Sequence, residues 1–560
     1  MDVQDSRRLT GSNLLFDGPG AALDVAFGAA DPASVVAAWR RHLHRLLVVL
    51  GWEDAVLAER LWRGGPSGAT LAFSAPIDAL YAATEVNEWA LQAAAAEWGG
   101  PAPEELAVAG ERLAAQIAAE REPALLALRR AAHEHGVAFI WDDKQVSLGL
   151  GRGARIFERG ALPANEDVPW SEIHDVPVAL VTGTNGKTTT VRLLARLLSA
   201  AGQRPGLSST DGVWVAGERV AAGDYSGPEG ARSVLRHPGV DVAVLEVARG
   251  GLLRRGLPIE RADVGVITNV AEDHLGEWGV FELESLADAK MLIAKAARRL
   301  VLNADDPRLV SRAAATGRPL TWFSLAPCAG TDVASLEEDQ LVLRESGTRQ
   351  PILAVADLPI AYGGAARHNI ANALGAAAAA RHLGVPVVTI AAALAEFHST
   401  PGANPGRLND FQLGGVRVLV DFAHNPHGVA ALAEAIAAMP AQRRLVIVGQ
   451  AGDRDDGAIR GLARAVWKAR PDRVIVKEME TYLRGREKGV IPALIIDELH
   501  AAGASDEVIG RADSELAAVE QAFAWSREGD LLLLLCHESR GAVLELCERK
   551  KREGWRPGEA

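Results

Sequence analysis

Cysteine is scarce in this chain. Cys328, Cys536 and Cys547 are the only three, and none stands in a CxxC spacing, so neither a disulfide framework nor a cysteine-rich metal site is available. No apolar run reaches the length that spans a bilayer, and LLLLLC at 531–536 is short enough to be one buried strand. The start, MDVQDSRRLT, has no apolar signal core, which predicts a cytoplasmic protein without a membrane partner. Positive charge is also in deficit: 59 Lys and Arg against 72 Asp and Glu leave a formal net charge of −13. Nucleic acid demands a basic surface to neutralise its phosphates, so it is excluded as the expected partner. The acidity is compatible with a cationic substrate, and equally with solubility alone. No internal repeat is evident, and the oligomeric state stays open, a homo-oligomer included.

What is present is enough chain for about three or four domains. Residues 1–160 mix patterns and predict an N-terminal α+β domain. VVAAWRRHLHRLLVVLGW is amphipathic, EPALLALRRAAHEHG places Pro123 in a first helical turn and Gly136 at a helix end, and GVAFIWDD and QVSLGLG read as strands. Residues 161–176 are a linker too short to hold a domain. From 177 to 402 near-continuous apolar runs, PVALVTG, DVAVLEVA, ADVGVITN and RRLVLNADD, alternate with helical patterns, as strands buried on both faces of a doubly wound α/β sheet should. TPGANPGR then marks a hinge. Residues 403–560 form a second, Rossmann-like α/β domain with strands VRVLVDFA, RRLVIVGQ, DRVIVKE and DLLLLLC.

The chemistry centres on VALVTGTNGKTTTVRLLARLLSAAG at 178–202. Its loop, Gly183-Thr184-Asn185-Gly186-Lys187-Thr188-Thr189, lacks the Gly that a standard phosphate-binding loop has five residues before Gly186, where Val181 stands. The working parts remain on a shorter turn. An apolar strand enters it, and Leu193, Leu194, Leu197 and Leu198 recur behind it at helical spacing. Two glycines free the backbone to curl around an anion, the helix N-terminus adds partial positive charge, Lys187 reaches terminal phosphates and the Thr188 hydroxyl can hold Mg²⁺. Glu246 ends DVAVLE at the carboxyl edge of the sheet, where it can bind the same ion or simply be solvated. Lys290 projects from an apolar helix stripe of Leu283, Leu286, Ala287, Ile293 and Ala294. Burial would depress its pKa; the alternative is a packed stem with the head in water.

The compact loop resembles that of the Mur ligase superfamily, ATP-dependent enzymes that join a carboxylate to an amine. STDGVWVAGERVAAGDYSGPEGARSVLRHPGVDVAVLEVARGGLLRRGL is similar to the matching stretch of the cyanophycin synthetase branch, and the likeness runs from about Pro177 to the end of the chain. The N-terminal domain, closing on LGLGRGARIF, resembles that branch less closely. There an ATP-grasp domain that extends a backbone follows; here only residues 158–176 intervene, so that activity is expected to be absent.

The resemblance implies ATP and Mg²⁺ as cofactors, an acyl-phosphate intermediate, and as partners a small-molecule or peptide carboxylate and an amino acid or amine. It makes His274, in TNVAEDHLG beside Asp273, a ligand of a second Mg²⁺, and Lys290 a lysine that CO₂ converts to a metal-binding carbamate. It places Asn303 and Asp306 near adenine and ribose, and Asp421, His424 and Asn425 near the nucleotide. Arg407, at the hinge, would meet the terminal phosphate. Thr210, Asp211 and Ser226 are implied substrate contacts. Asp453, Arg454, Arg484 and Arg486 face substrate or nucleotide on this view, or form a solvated charged loop. His368, Asn369 and Asn372 open a helix near the site, with capping and packing the competing role. His424 and His427 have metal-like spacing but too few companions for zinc. Lys187, His274, Lys290 and Arg407 are the expected catalytic set. A different class of reading also stands: a nucleotide-binding partner of some other ligase, without turnover of its own.

Overall fold

The computed structural model describes residues 1–558. Strands Asp2–Leu9, Gly20–Ala26, Gly68–Ser74 and Leu57–Leu61 form, in that order, an antiparallel sheet. Helices Pro32–Leu50 and Leu80–Ala96 bury Trp39, Leu43, Val86 and Ala90 in one cluster with Leu23, Leu71 and Phe73 of the sheet. Pro32 opens the first helix behind the Asp31 cap, and Gly51 closes it at φ 69°, where a side chain would be strained. A small three-stranded sheet, Phe139–Trp141, Gln145–Leu148 and Arg155–Glu158, follows. Residues 161–176 are packed rather than free, with Val168, Ile173 and Val176 buried.

The middle of the chain builds an eleven-stranded sheet. Its parallel centre runs Pro205–Ser209, Val242–Glu246, Val178–Thr182, Ala262–Ile267, Ala297–Asn303, Leu320–Ser324 and Val333–Glu337. Every residue of Val178–Thr182 and Val242–Glu246 is buried, which is why those segments read as unbroken apolar runs. Antiparallel strands extend both edges: Gly212–Val215 and Glu218–Ala221 on one side, Gln340–Glu345 and Thr348–Ala354 on the other. Helix Lys187–Ala200 seats Val191, Leu194 and Leu198 in the core, each fully buried leucine contributing roughly 1.5–3 kcal/mol.

The last sheet has the order Asn409–Leu413, Val416–Asp421, Leu531–Leu535, Arg444–Val448, Arg473–Lys477 and Ile509–Ala512, parallel except for its first pair. The central and C-terminal sheets are thus the two α/β units expected from the apolar runs. In both, the carboxyl ends of the parallel strands carry the polar loops that meet across a cleft. Among the described residues no helix is long and apolar enough to cross a membrane.

Candidate active site

The loop between Val178–Thr182 and Lys187–Ala200 turns on two glycines that nothing else could replace. Gly183 has φ 147° and Gly186 φ 84°. A Cβ at Gly183 would lie 1.8 Å from Thr268 Oγ1, and one at Gly186 2.2 Å from Asn372 Oδ1. The rest of the loop is pinned from the neighbouring strand. Thr184 Oγ1 donates to Ala271 O at 3.0 Å, the Asn185 N–H donates to Asn269 Oδ1 at 3.0 Å, and Thr268 Oγ1 donates to Asn185 O at 2.6 Å. Lys187 Nζ folds back on Thr184 O at 2.9 Å. The first-turn amides of the helix have no intrahelical acceptor and remain available to an anion.

This loop floors a cavity of about 590 Å³ that the C-terminal domain roofs. Thr188 donates to Glu246 Oε2 at 2.8 Å and lies 3.0 Å from the Thr210 hydroxyl. Arg407 arrives from the hinge, its Nη2 at 3.3 Å from both hydroxyls and its guanidinium 5.0 Å from the Phe422 ring centre. Asn185 and Asn425 exchange side-chain hydrogen bonds at 3.1 and 2.9 Å, and Asn185 also reaches His427 Nδ1 at 3.0 Å. Thr189 accepts from Asn404 at 3.4 Å. The two domains are therefore held together directly over the loop.

Asn303, Asp306, His368, Asn369, Asn372, Asp421 and His424 line the same cavity. Several also shape it. Asp306 caps helix Pro307–Ala313 and accepts from the Val270 N–H at 2.6 Å; Asn303 donates to Thr268 O at 2.9 Å. Asp421 accepts the N–H groups of Leu408 and Ala423, both at 2.7 Å, tying the hinge to the sheet. Asn425 caps helix Pro426–Ala438, and Asn372 donates to Asn369 at 3.3 Å. Burial drives the His368 imidazole down to about 4, and its Nδ1 has no hydrogen-bond partner among the described residues.

Beside His424 lies a polar cluster shared by both domains. His424 Nε2 is 3.5 Å from Asp273, and Arg454 of the C-terminal domain is 3.4 Å from Asp273 and 2.8 Å from His274 Nε2. Burial, only partly opposed by Asp273, lowers His274 to about 4, so the neutral ring accepts from Arg454. Burial works against ionising Asp273, but His424, His274 and Arg454 outweigh it and hold the carboxyl well below its usual range.

Ser226, Asp211, Arg484 and Arg486 do not line this cavity. Ser226 lines a separate cavity of about 490 Å³ between the N-terminal and central units, hydrogen-bonded to Asp224 at 2.7 Å. Asp211 is buried and accepts from Arg540 at 2.7 Å. Arg486 donates to Gly452 O and Arg454 O at 2.9 and 2.6 Å, bracing the loop on which Arg454 donates to Asp453. Arg484 is exposed, 5.4 Å from the Tyr482 ring centre. Sequence reasoning missed Asn269 and Arg540. Asn269 ends the run ADVGVITN as Glu246 ends DVAVLE, which is a usable signal; Arg540 carries none.

Two family models cover this architecture: the Mur ligase middle domain over residues 181–380 and the Mur ligase, glutamate ligase domain over 406–536. The UDP-N-acetylmuramyl-tripeptide synthetase of Roseiflexus sp. is 30% identical over 475 residues, covering 75% of this chain and 88% of that protein. The chain belongs to the Mur ligase family. Within it, the cyanophycin synthetase of Trichormus variabilis is 38% identical over 332 residues, or 57% of this chain and 37% of that one, so this chain spans well under half of that relative. E. coli FolC in complex with DHPP and ADP shares the fold, with TM-score 0.52 and 23% identity over 67% of this chain and 89% of that one.

In this member of the Mur ligase family, two donor sets differ in how well they fit a metal. Thr188 and Glu246 offer hard oxygens, and Glu246 Oε1 is buried without a hydrogen-bond partner among the described residues, as a carboxylate awaiting a cation should be. Burial raises the Glu246 pKa against the opposing charge of Lys187. The ligand atoms of Asp273, His274 and His424 all lie within 4.8 Å of one another. One oxygen and two imidazoles suit a softer ion than Mg²⁺, and Arg454 already engages His274. Lys290 is buried, 3% exposed. Burial first, then the charge of Lys187, holds its pKa well below the ordinary lysine value.

Proposed function

We propose that the chain is an ATP-dependent, ADP-forming carboxylate–amine ligase that works through an acyl phosphate. The observation that carries this reading is the meeting of Arg407, from the hinge, with Thr188, from the loop, at 3.3 Å. A loop that only binds nucleotide has no need of a guanidinium delivered there by a second domain. An acid becomes electrophilic only when one of its oxygens is turned into a leaving group, so the site must hold the transferring phosphoryl group and keep water away.

In this scheme the Gly183–Thr189 turn cradles the phosphates, Lys187 turns from Thr184 O to the terminal ones, and Arg407 neutralises charge growing between donor carboxylate and phosphate. Thr188 and Glu246 would hold Mg²⁺, which when bound draws charge off the phosphate oxygens. Asn303, Asp306, Asp421, His424 and Asn425 shape the nucleotide cavity. His274 and Lys290, once the latter carries CO₂, are the proposed second ion site, with Arg454 displaced from His274. Thr210, Asp211 and Ser226 are offered as donor-side residues; Asp453, Arg454, Arg484 and Arg486 as acceptor-side ones. The donor is an acidic metabolite or peptide and the acceptor an amino acid or other amine.

The test is ADP release from MgATP across a panel of acids and amines, followed by mass analysis of phosphate from an ¹⁸O-labelled donor carboxylate. Label in the phosphate, dependent on the acid, supports the acyl phosphate. ADP formation that ignores every acid and amine, or tight ATP binding with no turnover, would overturn the reading.

A further inference from the structure

Arg540 opens helix Arg540–Glu553 at the far end of the chain, and the proposed ligase scheme gives it no task. Yet its Nη2 donates to Asp211 Oδ1 at 2.7 Å, across the interface between the C-terminal and central domains. Asp211 is 8% exposed and follows Thr210, whose hydroxyl is 3.0 Å from Thr188 and 3.3 Å from Arg407. Two further contacts tie Arg540 to the same place. Its guanidinium lies 5.0 Å from the Phe422 ring centre, the distance at which Arg407 meets that ring. Its stem fills the space beside Gly406, where a Cβ would come within 2.3 Å of Arg540 Cδ. One side chain thus touches the hinge glycine, the ring shared with Arg407, and the loop beside Thr188.

The turn that presents Arg540 is fixed from inside its own domain. Glu515 is 1% exposed, and its carboxylate accepts the N–H groups of His537, Glu538 and Ser539 at 2.7, 3.3 and 2.8 Å while pairing with Lys477. The fold spends a buried carboxylate on holding three consecutive amides immediately before Arg540. A surface arginine would need no such brace.

We propose that Arg540 is a positioning residue: bonded to Asp211, it latches the C-terminal domain in the pose where Arg407 reaches Thr188. It touches no phosphate and acts through Arg407. Without it the domain still folds, because Arg192 Nη2, 3.8 Å from Asp211 Oδ2, keeps the buried carboxylate from being left without any cation. The inference rests on the ligase reading only for its link to turnover.

The experiment uses the full chain and two Mg²⁺-bound probes, ADP and a non-hydrolysable ATP analogue. Closure is read from the distance between dyes placed on the central and C-terminal domains, and affinity by calorimetry. The wild-type chain should close more with the ATP analogue and bind it more tightly than ADP. Arg540→Gln and Asp211→Asn should each erase most of that preference, weakening the analogue by about tenfold or more while ADP changes little. Arg540→Lys should retain part of it. Unchanged closure and preference in a folded Arg540→Gln chain, or an equal loss for both nucleotides, would overturn the latch. Should no acid and amine support turnover, the ligase reading falls, but these nucleotide measurements still decide the latch.

Discussion

The Thr188 hydroxyl donates to Glu246 Oε2 at 2.8 Å while Oε1 of the same carboxylate lies buried without a partner among the described residues. Such an oxygen is costly when charged, and burial accordingly raises the Glu246 pKa above the ordinary carboxyl value. With a raised folded-state pKa, the stability this group contributes is full below its unfolded value and is lost as pH rises through the folded one. A divalent cation that takes the anion cancels the loss. The metal-free chain should therefore lose melting temperature as pH climbs out of the acid range, and Mg²⁺ should restore it. Glu246→Gln should flatten that slope, remove the Mg²⁺ response in the melting curve, and cut nucleotide turnover by ~100-fold or more.

Lys290 has the opposite sign. Burial, reinforced by Lys187, depresses its pKa, so between the depressed folded value and the ordinary lysine value the unfolded chain holds a proton that the folded chain lacks. Stability from this site is full above the ordinary value and disappears as pH falls through the folded one. Lys290→Met, which keeps the stem and drops the amine, should raise the melting temperature at neutral pH and abolish its rise with pH. If the amine carries CO₂, ¹³C-bicarbonate should give a carbamate signal in the wild-type chain that is absent from Lys290→Met. A signal of equal size in both chains would refute the assignment to Lys290.

How much of this was legible beforehand depended on what each residue faces. Val178–Thr182, Val242–Glu246 and Leu531–Leu535 are buried on both faces, so an uninterrupted apolar run announces them. Asp2–Leu9 is a strand too, but its pattern DVQDSRRL carries few apolar residues, and Arg7 is buried only because Asp24 pairs with it at 2.6 Å. Glu218–Ala221 is an exposed edge for the same reason invisible to hydrophobic period. The Gly183–Thr189 turn was readable because its glycines, lysine and threonines are contiguous. Asp211 and Arg540 are 329 positions apart, and no local pattern pairs them. Ser226, close to Asp211 in sequence, opens instead onto the cavity shared with Arg8 and Trp141.

Gly186 meets two demands at once: φ 84°, and room for Asn372 Oδ1 at 2.2 Å from where a Cβ would stand. Gly186→Ala should lose ~1–3 kcal/mol of stability from backbone strain alone and weaken nucleotide binding further by displacing the loop. Adding Asn372→Ala relieves the clash but leaves φ unchanged. Titrating nucleotide into both variants separates the contributions: recovery in the double variant measures the contact, and the residual deficit measures the strain. Full recovery would show that the positive φ costs nothing.

The buried pair of Lys477 and Glu515 offers a check on the C-terminal domain that does not depend on catalysis. Lys477 also donates to Leu535 O at 2.6 Å, and Glu515 accepts three backbone N–H groups, neutral partners that do not replace the opposite charge. Removing one member of a buried pair leaves the other uncompensated, a loss of about 3–5 kcal/mol, whereas neutralising both is much milder. Lys477→Met should therefore lower the unfolding midpoint of this domain steeply, and Lys477→Met with Glu515→Gln should regain most of it, since the glutamine oxygen still accepts the His537 and Glu538 N–H groups while its amide nitrogen loses that of Ser539 next to Arg540. Denaturant titration followed by a dye on the C-terminal domain reads this directly. Because Glu515 holds the turn before Arg540, the double variant should keep its fold yet close less fully on the ATP analogue. A double variant that regains stability and closes as well as the wild-type chain would show that the brace serves the fold alone.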